Sequence, residues 1–160
     1  MSAIKSRDTK PELIVRHYLF ACGFRYRVND PRLPGHPDIV LPKYRTCIFV
    51  NGCFWHGHYC RAGHTPKTNS GYWSEKIKKN RQRDIAEQKR LSEMGWHSIV
   101  VWECELTKKK RCQTLESLEY TLNHIYLQDR SVRYAQPPEA EESSMAAEPE
   151  AEFGSSAKSK

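Results

Sequence analysis

No stretch of this chain holds the roughly 20 consecutive apolar residues that a bilayer crossing needs, and Met1 to Asp8 contain no apolar signal region. The expectation is therefore a cytoplasmic protein with no membrane partner. No heptad pattern or large apolar stripe demands a second subunit, so a monomer is expected. The cysteines and histidines lack the spacing of a common zinc finger. Pro37-Asp38 is not followed by the acidic-x-Lys pair that completes the usual metal-dependent nuclease pattern, so on spacing alone a turn aspartate is the simpler reading of Asp38.

What the chain does contain is enough for one domain with a real core, at 160 residues with 38% hydrophobic and 28% charged. Charge is unevenly placed. Residues 136–160 carry six Glu and two Lys, while the 24 Lys and Arg and 13 Asp and Glu before them leave residues 1–135 at +11. A domain that basic, with aromatics among its cations, points to a polyanionic partner such as nucleic acid, with a solvated surface tuned for solubility as the alternative. The Pro-, Glu-, Ala- and Ser-rich segment 136–160 has little to bury and is expected to be a disordered acidic tail, native or partly appended.

Thr9-Lys10-Pro11-Glu12 reads as a capping box that opens a helix running to about Gly23. Leu13, Ile14, Arg16, Tyr18, Leu19 and Phe20 give that helix a broad buried face. Phe24 to Val28 reads as a short strand, and a proline-rich loop leads to Asp38. Asp38–Leu41 and Thr46–Val50 form a hairpin around Pro42-Lys43-Tyr44-Arg45. A polar loop follows, then a long helix from Tyr72 to Met94 closed by Gly95, with a basic first half. Trp96 to Trp102 reads as a strand buried on both faces, and Leu115, Leu118, Leu122 and Ile125 mark a last amphipathic helix.

The densest chemistry lies in Val50-Asn51-Gly52-Cys53-Phe54-Trp55-His56-Gly57-His58-Tyr59-Cys60. Cys53, His58 and Cys60, with distant Cys104, are candidate zinc ligands; His56 and His64 are substitutes, and unrelated buried thiols are the alternative. Asp38, at a strand end, can hold magnesium beside a phosphate. His56 is a candidate general base, with Glu12 either its orienting carboxylate or only the capping acid. Asn80 and Asp84, four residues apart, share one helix face, either at the site or in solvent.

Five ordered motifs then stand out: Arg-Asp-Thr-Lys-Pro-Glu at 7–12, Leu-Pro-Gly-His-Pro-Asp at 33–38, Gly-Cys-Phe-Trp-His-Gly-His at 52–58, Trp-x-x-Lys-Ile-x-x-Asn-x-x-Arg-Asp at 73–84, and Val-Trp-Glu-Cys at 101–104. Over about residues 1–127 the chain resembles the very short patch repair (Vsr) DNA mismatch endonucleases of bacteria. That resemblance implies an α/β, restriction-endonuclease-like fold over residues 1–135, with a central mixed β-sheet flanked by helices and a structural zinc site. It implies magnesium-dependent nicking of duplex DNA 5′ to the thymine of a T:G mismatch, close to the nucleoid, with mismatch-repair proteins as a candidate partner class. Zinc falls on Cys53, His58, Cys60 and Cys104, and magnesium on Asp38 and the main-chain carbonyl of Val50. His56, oriented by Glu12, activates water. Phe54, Trp55 and Trp73 enter the DNA beside the mismatch, and Lys76, Lys79, Asn80, Arg83 and Asp84 belong to the DNA-binding set. Two departures follow from the same likeness. Asn51 stands where the best-known member of the family has a second active-site histidine, and the basic amino-terminal arm is short. A nuclease of the same fold with another DNA specificity, linked to restriction and modification, and a zinc-stabilised module that binds DNA without cutting are the alternatives.

Overall fold

A computed structural model describes residues 7–131; the expected acidic tail at 136–160 and the start of the amino-terminal arm lie outside the described residues. Helix α1 spans Lys10–Ala21, strands β1, β2 and β3 span Arg27–Val28, Ile39–Leu41 and Thr46–Asn51, helix α2 spans Ser70–Glu93, strand β4 spans His97–Trp102, and helix α3 spans Arg111–Ser131. The sheet order is β1-β2-β3-β4, antiparallel across the first two pairs and parallel across the last. A parallel pair needs a long crossover, and α2 supplies it.

The side chains of β2 point alternately to two cores. On one face Ile39, Leu41, Ile48 and Val101 pack against Val15 and Leu19 of α1 and Leu115, Leu118 and Leu122 of α3. On the other, Val40 and Cys47 pack against Leu91 of α2, with Phe49 and Trp96 alongside. The chain is thus a three-layered α/β domain whose mixed sheet is flanked by helices, of the restriction-endonuclease-like kind. Each fully buried leucine in these layers contributes about 1.5–3 kcal/mol. Among the described residues no helix is long and apolar enough to cross a membrane.

Helices α1 and α2 stop in the same way. Gly23 and Gly95 adopt φ of +88° and +80°, a conformation that costs a glycine little. Beyond them the N–H groups of Phe24 and Trp96 donate to Leu19 and Leu91 carbonyls, each at 2.9 Å, and both rings turn into the cores. Residues Phe24 to Tyr26 are thereby used in closing α1, which shortens the expected strand to Arg27–Val28.

Two expectations about faces are corrected. In α1 the buried residues are Glu12, Val15, Arg16 and Leu19, a clean helical stripe, whereas Leu13 and Phe20 are 37% and 61% exposed. The polar pair is admitted because Arg16 bonds Glu12 at 3.0 Å and Asp8 at 2.5 Å, neutralising the buried charge. Strand β4 lies at the sheet edge, and only Val101 is fully buried, so its apolar run is not that of a central strand. The Pro42-Lys43-Tyr44 connection is one turn of 3₁₀-helix closed by Arg45 in the left-handed region.

Candidate active site and metal centre

Strand β3 leads directly into a compact turn. The His56 N–H donates to the Gly52 carbonyl at 3.3 Å and the His58 N–H to the Cys53 carbonyl at 2.9 Å. From α2, the Asn80 side-chain amide donates to the Trp55 carbonyl at 2.9 Å. Ile77 packs where a side chain at Gly57 would stand, so α2 lies hard against the turn. Asn80, expected at the DNA, is therefore engaged in holding the turn in place.

The ligand atoms of Cys53, His58, Cys60 and Cys104 lie within 4.8 Å of one another, and Cys104 Sγ is 3.4 Å from His58 Nδ1. A tetrahedral sulfur and nitrogen site has edges of roughly 3.5 Å, so this soft donor set fits a zinc-like ion. His56 and His64 lie outside this group. Burial pushes the Cys53 thiol up to about 12 and raises Cys104 as well. Burial also opposes ionisation of Cys60, but the His58 ring, the Gly63 and Ala62 N–H groups and Cys53 bring it down to about 7. Cys53, His58, Cys60 and Cys104 could hold an ion, which when bound would displace the thiol protons and tie the turn to the end of β4. The Trp102 ring lies flat on His58, centroids 4.1 Å apart, and holds the imidazole's orientation. Gly63 is required here, since a Cβ would stand 2.0 Å from the His58 carbonyl oxygen.

On the other side of the turn lies a cleft of about 670 Å³. Asp38 lies beside it at the head of β2, and its Oδ2 accepts the Val50 N–H at 2.7 Å, which joins the hairpin strands at the site. Burial pushes the Asp38 carboxyl up to about 6; the Glu12 charge adds to this, while the Val50 N–H, Arg16 and His56 oppose it. Glu12, Asp38, Asp84, Glu87 and Glu103 all line the cleft, with Arg83 the one Arg or Lys among the described residues in its wall. Hard carboxylate oxygens short of positive charge are a donor set that fits magnesium. Asn51 is buried at the end of β3 and lines the same cleft.

His56 is not paired with Glu12. The Glu12 carboxylate accepts from the Asp8 N–H, the Thr9 hydroxyl and Arg16, so it is consumed by the capping box and the buried ion pair. His56 Nδ1 instead meets Asp84 Oδ2 at 2.5 Å, from one helical turn beyond Asn80. The spacing places Asp84 with Asn80 on one helix face, at the site or in solvent, and the resemblance assigns both to DNA binding; the structure sets Asp84 against the His56 imidazole. Glu103 and Glu87 were not singled out, although Glu103 sits within the Val-Trp-Glu-Cys motif.

Phe54, Trp55 and Trp73 form one half-buried cluster, packed edge to face with centroids 5.2 to 5.9 Å apart. Lys76 Nζ stands 5.5 Å from the Trp55 ring centroid and 5.7 Å from that of Trp73. Lys79 pairs with Glu75 at 3.4 Å, and Arg83 with Glu87 at 3.9 Å.

A family model for DNA mismatch endonuclease Vsr matches residues 1–62. A Neisseria meningitidis type II nicking enzyme, V.NmeAIP, is 55% identical over 113 residues, covering 71% of this chain and 81% of the relative. The Xanthomonas oryzae type II nicking enzyme V.XorIIP is 49% identical over 125 residues, 78% of this chain and 88% of the relative. The Escherichia coli DNA mismatch endonuclease Vsr is 44% identical over 111 residues, 69% of this chain and 71% of the relative.

Proposed function

Because this chain belongs to the Vsr family of DNA mismatch endonucleases and is itself a DNA endonuclease, we propose that it nicks one strand of duplex DNA 5′ to the thymine of a T:G mismatch, using magnesium and a structural zinc. The observation that carries this reading is the single turn 52–58, which brings Phe54 and Trp55 of the aromatic cluster, Cys53 and His58 of the soft ligand set and the Asp84-bound His56 together beside Asp38.

With Nδ1 held by Asp84, the imidazole of His56 has Nε2 free to take the proton of an attacking water. The water oxygen bonds to phosphorus, the bond from phosphorus to the leaving ester oxygen breaks, and that oxygen takes up a proton from solvent. Asn51 can donate a hydrogen bond to the phosphate or leaving oxygen but has no proton to give. Asp38 and the Val50 carbonyl would hold magnesium, which when bound offsets negative charge on the phosphate and leaving oxygen. Glu12 and Arg16 act at one remove, by fixing the wall of α1 beside Asp38.

Phe54, Trp55 and Trp73 present pre-packed rings that can wedge beside a mismatched pair, where lost stacking lowers the cost of insertion. Lys76, Lys79 and Arg83 lie along one face of α2 and meet backbone phosphates. Incubation with magnesium and a duplex carrying one T:G pair is expected to give a single nick in the T strand. The relatives named type II nicking enzymes favour a second reading, a nuclease with a different site linked to restriction and modification, and equal cutting of the matched duplex would select it. Tight binding without cleavage would instead identify a non-cutting module.

A further inference from the structure

The geometry points to a second DNA-backbone track, on the side of α2 away from the catalytic cleft, in which Arg61, Lys78 and Arg81 receive phosphates of the same duplex on one flank of the cut. It rests on the nuclease reading above and extends the DNA contact beyond the residues given to it there.

A cavity of about 760 Å³ lies between the metal-ligand loop 57–65 and α2. Helix positions 74, 78, 81 and 85 form one side of it, and Arg61 and His64 project from the other. Among the described residues no Asp or Glu lines it. The charge state of this groove differs from that of the neighbouring helix face. There Lys79 and Arg83 are paired within the helix to Glu75 and Glu87, whereas among the described residues no ion pair engages Arg61, Lys78 or Arg81. Three exposed guanidinium and ammonium groups around one concave surface, with no carboxylate to neutralise them, complement a run of phosphates.

Continuity identifies the occupant as the DNA being cut. A smaller cavity of about 440 Å³ shares Gly57, Tyr59 and Arg81 with the basic groove, and His56 and Asp84 with the catalytic cleft. A backbone whose scissile phosphate lies at His56 can thus pass Arg81 and reach Lys78 and Arg61 without leaving the protein surface. Arg81 packs along the Gly57 turn next to the general base, so the test leaves it intact.

The test is duplex binding by the full chain carrying Arg61→Gln and Lys78→Gln, titrated across salt concentrations with matched and T:G duplexes. Loss of two phosphate contacts is expected to reduce the slope of log affinity against log salt by about 1.8. Arg61→Lys with Lys78→Arg should restore the slope. Trimming one flank of the duplex should abolish the difference between wild type and variant, and trimming the other should not. An unchanged slope, or a loss that survives trimming of either flank, overturns the track. Failure of the mismatch reading has a separate signature, equal nicking of matched and T:G duplexes by the wild type, which leaves the slope comparison standing.

Discussion

Asp84 decides what His56 can do. A neutral imidazole has one donor and one acceptor nitrogen, and a carboxylate at Nδ1 selects the tautomer whose Nε2 accepts a proton. Asp84→Asn is therefore expected to lower single-turnover nicking by about 100-fold. Combined with His56→Ala, it should slow the reaction no further than His56→Ala alone, because both act through one proton transfer. Additive losses in that cycle would place Asp84 elsewhere in the reaction. Asp38 sets the pH limit. Its carboxyl stands at about 6, above the usual carboxylate value near 4, so the folded metal-free protein holds the proton more tightly than the unfolded chain. This contribution to stability is complete below about pH 4 and is lost as pH rises through about 6. Magnesium competes with that same proton, so its affinity should fall about tenfold per pH unit below 6. Calorimetric titration between about pH 5 and 8 checks this, and a flat profile would contradict it.

At the scale of elements, the turn and loop from Gly52 to Gly63 are held by side chains and ligands more than by regular hydrogen bonding. Gly63→Ala should collide with the His58 carbonyl and, like Cys104→Ser, lower bound zinc to well below one equivalent, with a fall in Tm. Metal analysis of the purified variants with thermal melting tests both; full zinc occupancy in Cys104→Ser would remove that ligand. Much of this level was legible in the sequence, because capping at Thr9, the hairpin at Pro42, the glycines after α1 and α2 and the apolar runs are local signals. The misread parts depend on long-range placement. Glu12 reads as a capping acid or a partner of His56 until it is seen to be buried against Arg16, and Leu13 and Phe20 look like core until α1 is rotated to bury that pair instead. Strand β4 has the composition of a central strand, but its edge position is set by strand order, which no local pattern specifies. The partner of His56 was hidden for the same reason, since Asp84 is 28 residues away and meets it only once α2 lies on the turn.

At the scale of the molecule, the three layers bring motifs from four separate stretches to one end of β3. The sheet delivers Asp38 and Val50, α1 delivers Glu12, and α2 crosses the turn with Asn80 and Asp84. A basic protein with an acid-lined catalytic cleft is a consistent arrangement, because surface cations can attract DNA while carboxylates keep a cation at the scissile phosphate. The most direct test is single-turnover cleavage of a T:G duplex labelled differently on its two strands, by wild type and Asp38→Ala, with binding measured in parallel. The account predicts magnesium-dependent accumulation of one T-strand product by the wild type, and undiminished duplex binding without product by the variant. Cleavage of both strands, equal cutting of a T:A duplex, or normal nicking by Asp38→Ala would contradict it.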